Sequence, residues 1–204
     1  MGEGRRSVVF DGVPPAEEVR RSVVRGRHAV VRLNAATEMP TVSRLATALR
    51  SELARDDLLV LASPGDPPTI RVIRLVDEHE AHECRAELET LVADFRRLAR
   101  RLVGRFRAEV APDWEREEPD AGRIEVDGAE WWLSPHGEHC RFEHLGSGHV
   151  VEADVMRPEA VDPGFLLLFA ESSGGYAKVR AACAEGFHDM CRMLELAGVT
   201  GTAG

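Results

Sequence analysis

"RIEVDGAEWWLSPHGEHCRFEHLGSGHVVEADV", residues 123–155, decides the architecture of the second half of the chain. Asp127-Gly128 stands between two strand-like runs, and both central positions of a tight hairpin turn favour such residues because they need positive φ. "SPHGE" (134–138) turns the chain again, 139–144 reads as a third strand, "LGSG" (145–148) turns it once more, and 149–155 reads as a fourth. The apolar run "FLLLFA" (165–170) is expected to be a further, buried strand. The reading is an antiparallel meander of about five strands. A final helix should cover it, because Val179, Cys183, Phe187, Met190, Leu194 and Ala197 recur at steps of four and three. Gly198 would end that helix and leave residues 200–204 as a frayed tail.

Moving backward, "APDWEREEPDAG" (111–122) is acidic and carries two prolines, so it reads as a linker. Before it, Asp77 and Glu80 form a capping box, and the spacing predicts one long amphipathic helix over 77–110. Its apolar stripe is Leu88, Leu91, Phe95, Leu98, Leu102 and Phe106, with Cys84 in line. Such a stripe serves equally well inside one chain or across a homodimer. Arginines 96, 97, 100, 101, 105 and 107 crowd its end, either as a solvated face or as a docking patch for an acidic partner or for the acidic half of this chain. Residues 1–76 read as a small α/β lobe of order α-β-α-β-β: helices near 14–26 and 41–54, strands at 28–33, 57–63 and 69–76. The fold class expected is therefore α+β, with an α/β lobe at 1–76, the long helix, the linker, and a sheet with a helix at 123–204.

Charge divides the chain unevenly. The net charge is −9, yet residues 1–110 hold 19 basic and 17 acidic side chains, against 7 and 18 in residues 111–204. An acidic half is a poor match for phosphate backbones, which argues against a nucleic-acid partner. Lys178 is the only lysine, Asn34 the only asparagine, and there is no glutamine, a bias expected of a GC-rich bacterial genome. The start of the chain lacks a secretory leader's apolar run, no stretch approaches a membrane span, and four scattered cysteines suit a reducing cytoplasm.

Histidines 136, 139, 144 and 149 cluster in the meander with Cys140. The odd spacing of His139 and His144 puts them on opposite faces of one strand, so they cannot share an ion. Two pairs remain: His136 with His139 at the "PHGEH" turn, and His144 with His149 across "LGSG". If Cys140 and Phe142 face the core, His139, Arg141 and Glu143 face away from it. Trp131 and Trp132 must also point to opposite faces. "HEAH" (79–82) has one residue too few for a zinc-protease helix motif. Cys183 and Cys191 fall on or beside the apolar face of the last helix and read as core.

Two functions compete. The first is a cytoplasmic bacterial binding or regulatory protein, resembling inhibitors and immunity proteins in composition, that meets a protein partner through Trp132, Arg141, Glu152 and Asp154. It needs no cofactor. The second is an enzyme, a hydrolase for instance, that uses zinc or another divalent metal. His136 and His139 would be ligands, Glu138 or Glu143 the general base, and His188 or Asp189 a third ligand. A third reading, an anion site at "ESSGGYAK" (171–178), rests on helix-start amides that serine and glycine would equally well cap.

Overall fold

The computed structural model describes residues 6–24, 27–110 and 120–199. Nearly all of the acidic linker expected at 111–122, and the tail at 200–204, lie outside the described residues. The fold is α+β, and the chain divides into two compact units, Met1–Val76 and Asp77–Gly204.

The first unit runs β1 (Arg6–Asp11), α1 (Ala16–Ser22), β2 (Arg27–Arg32), α2 (Met39–Leu53), β3 (Leu58–Ser63) and β4 (Thr69–Arg74). Strand β1 was not anticipated. It pairs parallel to β2 across α1, while β4 pairs antiparallel to both β2 and β3, giving the order β1-β2-β4-β3. Val42, Ala46, Leu49 and Leu53 of α2 and Val19 of α1 pack against Ala29, Val31, Ile70 and Val72 of the sheet. The end of α2 leaves carbonyls without intrahelical partners. Arg20 of α1 supplies donors, its guanidinium bonding the carbonyl of Leu53 at 3.1 Å and that of Glu52.

The second unit opens on α3 (Glu78–Arg105), which is followed by a π-helical turn at Phe106–Val110. Both halves of the capping box form: the Glu80 amide donates to Asp77 at 2.9 Å and the Asp77 amide to Glu80 at 3.0 Å. Except for Leu98, the predicted stripe is buried within this unit, where α3 packs on the sheet and on three further helices. Its arginines are largely taken up locally. Arg97 pairs with Asp94 at 2.6 Å, Arg101 reaches Asp127 at 2.5 Å, Arg105 pairs with Glu109, and Arg96 donates to the Glu159 carbonyl.

The sheet is an antiparallel meander of four strands, β5 (Gly122–Val126), β6 (Ala129–His136), β7 (His139–His144) and β8 (Val150–Asp154), in the order β5-β6-β7-β8. Asp127 and Gly128 make the first turn with φ of 54° and 78°. The expected fifth strand is instead helix α4 (Pro163–Ser172). A short apolar run reads alike as a buried strand or a buried helix, and here Asp162-Pro163 decides. The Asp162 carboxylate accepts from the amides of Gly164 at 2.7 Å and Phe165 at 3.1 Å, while Pro163 fills a first-turn position that needs no donor. Helix α4 packs on β8, and the Ser172 hydroxyl accepts from the Val150 amide at 2.9 Å and lies 3.4 Å from the Val150 carbonyl. The predicted single last helix is two, α5 (Ala177–Ala182) and α6 (Phe187–Ala197), broken at 183–186, where Gly186 takes φ of 62°. Phe95 of α3 and Phe169 of α4 meet with ring centroids 5.9 Å apart.

Candidate functional site: the outward face of the meander

Strand alternation sorts the meander into two faces. Ile124, Trp131, Leu133, Cys140, Phe142, Val151 and Ala153 are buried on one. Arg123, Trp132, Arg141, Glu143, Glu152 and Asp154 fall on the other by the pairing register. The expected separation of Trp131 from Trp132 is thus observed, as is the turning of Arg141 and Glu143 away from the buried face; His139 shares their parity, but its ring packs on Phe165 of α4.

Trp132 remains 41% exposed on a central strand. Its cross-strand neighbours are Arg123 on β5 and Glu143 on β7, and Arg141 sits opposite Glu152. Directly opposed charged and aromatic side chains on one sheet face lie within contact reach of each other. Leu145, 45% exposed, extends this face just past β7, its amide donating to the Glu130 carbonyl at 3.0 Å. Acidic side chains outnumber basic ones here: Glu125, Glu130, Glu143, Glu152 and Asp154 against Arg123 and Arg141. Leu145, Glu130 and Arg123 were missed by sequence reasoning, although continuing the odd-numbered alternation of β7 by one step reaches Leu145.

Asp154 is partly committed to local structure. Its carboxylate accepts from the amides of Met156 at 2.7 Å and Arg157 at 2.8 Å, a turn that ends β8.

The "PHGEH" turn brings His136 and His139 into register as a strand pair with Gly137 and Glu138 between them. His136 and Glu138 are exposed. The His139 ring meets Phe165 edge-on, centroids 5.0 Å apart at 75°, and its buried Nδ1 has no hydrogen-bond partner among the described residues. Among the described residues no group of three or more His, Cys, Asp and Glu side chains gathers where one ion could be held. His188 is exposed, and the buried Asp189 carboxylate accepts from the Glu185 amide at 2.5 Å. His144 and His149 do face each other across "LGSG", their ring centroids 6.3 Å apart.

"ESSGGYAK" does not open a helix with its serines. Ser172 ends α4, and the six-residue α5 starts only after Tyr176, itself at φ of 56°. The Tyr176 hydroxyl donates to Asp94 at 2.7 Å; burial and that bond push its pKa up. Burial pushes the Cys183 thiol up to about 12 and raises those of Cys84 and Cys191, which disfavours their reactive thiolates. No helix of the described residues is long and apolar enough to cross a membrane.

The chain matches no protein-family model, no curated protein and no solved structure, so the case for a function rests on its own residues.

Proposed function

We propose that the protein is a binding or regulatory module that recognises a protein partner through the outward face of its C-terminal meander, in a bacterial cytoplasm and in the manner of inhibitor or immunity proteins. The observation that carries this reading is Trp132, exposed between Arg123 and Glu143. Leaving a tryptophan in water forgoes its burial energy, and tryptophan is enriched at the centre of interfaces because it supplies large contact area at little entropic cost. Arg141, Glu143 and Glu152 would form a polar rim, and the acidic excess favours a basic partner surface. Asp154 serves that rim mainly by ending β8.

A photo-crosslinking side chain placed at Trp132, at Leu145 and, as control, at Arg85 on the exposed side of α3 tests the proposal in cells that make the protein. A partner captured from the first two positions and not the third is expected, with capture abolished by Glu143→Arg. Equal capture from all three, or none from position 132, would end this reading.

The competing metal-dependent hydrolase has the pair His136 and His139 in its favour, with Glu138 or Glu143 as base, and no third ligand within the described residues. Elemental mass spectrometry of protein purified without chelator decides it: stoichiometric zinc lost in a His136→Ala/His139→Ala variant would replace the binding reading.

A further inference from the structure

The turn at 145–148, which carries Leu145 onto the outward face, is closed by the Gly148 amide donating to the His144 carbonyl at 2.8 Å and braced by the imidazole of the same residue. Nδ1 of His144 lies 2.9 Å from the amide nitrogen of Ser147, 3.2 Å from that of Gly146 and 2.9 Å from the Ser147 hydroxyl. Backbone amides only donate, so Nδ1 must be the unprotonated acceptor and the ring's proton must sit on Nε2. The ring is pinned, lying edge-on to Trp131 at 4.9 Å and 84°. Gly146 lies so close that a Cβ there would stand 3.1 Å from Cε1 of the ring.

We propose that His144 is a proton-operated latch: a proton on Nδ1 frees Gly146 and Ser147 at the tip of the 145–148 turn and loosens the adjoining Leu145 edge of the binding face, whose Leu145–Glu130 and Gly148–His144 backbone bonds stay in place. A proton on Nδ1 and two amide donors aimed at the same atom are mutually exclusive. Of the three partners only the Ser147 hydroxyl can turn round and accept, so charging the ring reverses one bond and breaks two. Histidine is the side chain whose charge changes in the physiological range.

Among the described residues around this end of the sheet, His149 is titratable and Arg180 is charged. Strand β6 presents Trp131, uncharged, and the turn itself presents Ser147 and His149. Helix α4 reaches this end of the sheet through Ser172 and Ser173, neither charged. Arg180 of α5 is held on the Gly174 carbonyl at 3.3 Å. His149 donates from Nε2 to the Ser173 carbonyl at 3.0 Å, since a carbonyl can only accept. Its other nitrogen can take a proton without breaking that bond. Glu130 and Glu143 lie on the opposite face of the sheet.

Only the regulatory consequence rests on the proposed binding function; the latch is a property of the free chain. The test is therefore NMR on the isolated, isotope-labelled full chain, titrated with acid from neutral pH until the ring signals of His144 show that it is charged. As the His144 ring becomes charged, solvent protection of the Gly146 and Ser147 amides, corrected for intrinsic exchange, should fall roughly tenfold or more, the scale expected for losing two amide bonds. The Leu145 methyl signals should move with the same midpoint while the amides of β6 and β7 stay protected. His144→Asn, whose carbonyl still accepts from those amides and does not titrate, should show neither change. Ser147→Ala removes the one reversible bond and should enlarge the loss. His149→Gln should leave the response intact. The latch is overturned if His144 titrates with both amides and Leu145 unmoved, if His144→Asn responds like the native chain, or if His149→Gln abolishes the response. A failure of crosslinking at Trp132 would leave each of these results standing.

Discussion

Trp132 and Trp131 are consecutive and chemically identical, yet one is 41% exposed and the other buried at 4%. Strand alternation alone makes that difference, which is why the sequence allowed it to be foreseen. The same parity placed Arg141 and Glu143 opposite Cys140 and Phe142, but it did not show that the ring of His139 packs on Phe165. What it could not reveal is which outward side chains stand beside each other, because cross-strand neighbours such as Arg123 and Trp132 depend on register. At this scale the prediction is a separation of two effects. Trp132→Ala should weaken partner binding by at least about 2 kcal/mol, roughly thirtyfold, as a central aromatic anchor does. Its cost to folding should stay near about 1 kcal/mol because the side chain is already half in water. Titration calorimetry with the crosslinked partner and a chemical melt of the free chain measure the two.

Among elements, the long helix was the most legible, because a capping box and a stripe over many turns are local and redundant signals. The helix α4 was misread for the opposite reason. Leu166, Leu167, Leu168 and Phe169 are apolar in succession, so no periodicity distinguishes helix from strand, and the deciding residues lie outside the run at Asp162 and Pro163. Strand β1 was overlooked because its partner β2 lies beyond a helix, a pairing that nothing within "RSVVFD" announces. The last helix was drawn too long since Val179, Cys183 and Phe187 keep helical spacing across a break that Gly186 makes possible. Asp162→Ala should destabilise the second unit by about 1 kcal/mol, the usual worth of an N-cap, and Asp162→Asn should restore most of it. Phe95→Ala, which empties the contact with Phe169, should cost about 3–5 kcal/mol. Urea unfolding followed by circular dichroism checks both; equal effects of Asp162→Ala and Asp162→Asn would deny the capping role.

At the scale of the whole molecule, the chain forms two compact units that meet at Val76–Asp77, and sheet order and the number of strands did not follow from pattern. A consequence for solution behaviour comes from the buried thiol. Burial lifts Cys183 from its ordinary 9.0 to about 12, so the folded chain keeps it protonated where the unfolded chain ionises it. The stability this contributes is complete below about pH 9 and is lost as pH rises toward about 12. Tyr176, also pushed up by burial, acts in the same direction. Thermal melts should therefore show a falling midpoint on the alkaline side, less steep in Cys183→Ala; an identical slope in that variant would remove Cys183 as a cause.

Ser172 offers a last consequence. Its hydroxyl accepts from the Val150 amide at 2.9 Å, at a position on β8 where a neighbouring strand would otherwise accept, while its single proton lies nearer the Phe169 carbonyl, at 3.2 Å, than the Val150 carbonyl, at 3.4 Å. An edge strand left with open amides is a template for another chain, and a helix laid along it stops the sheet from growing. The hydroxyl of Ser172 thus occupies one bonding position on that edge, where α4 lies against β8. Removing it by Ser172→Ala should shorten the lag before thioflavin-positive fibrils form under agitation, even where the folded population is matched to that of the native chain.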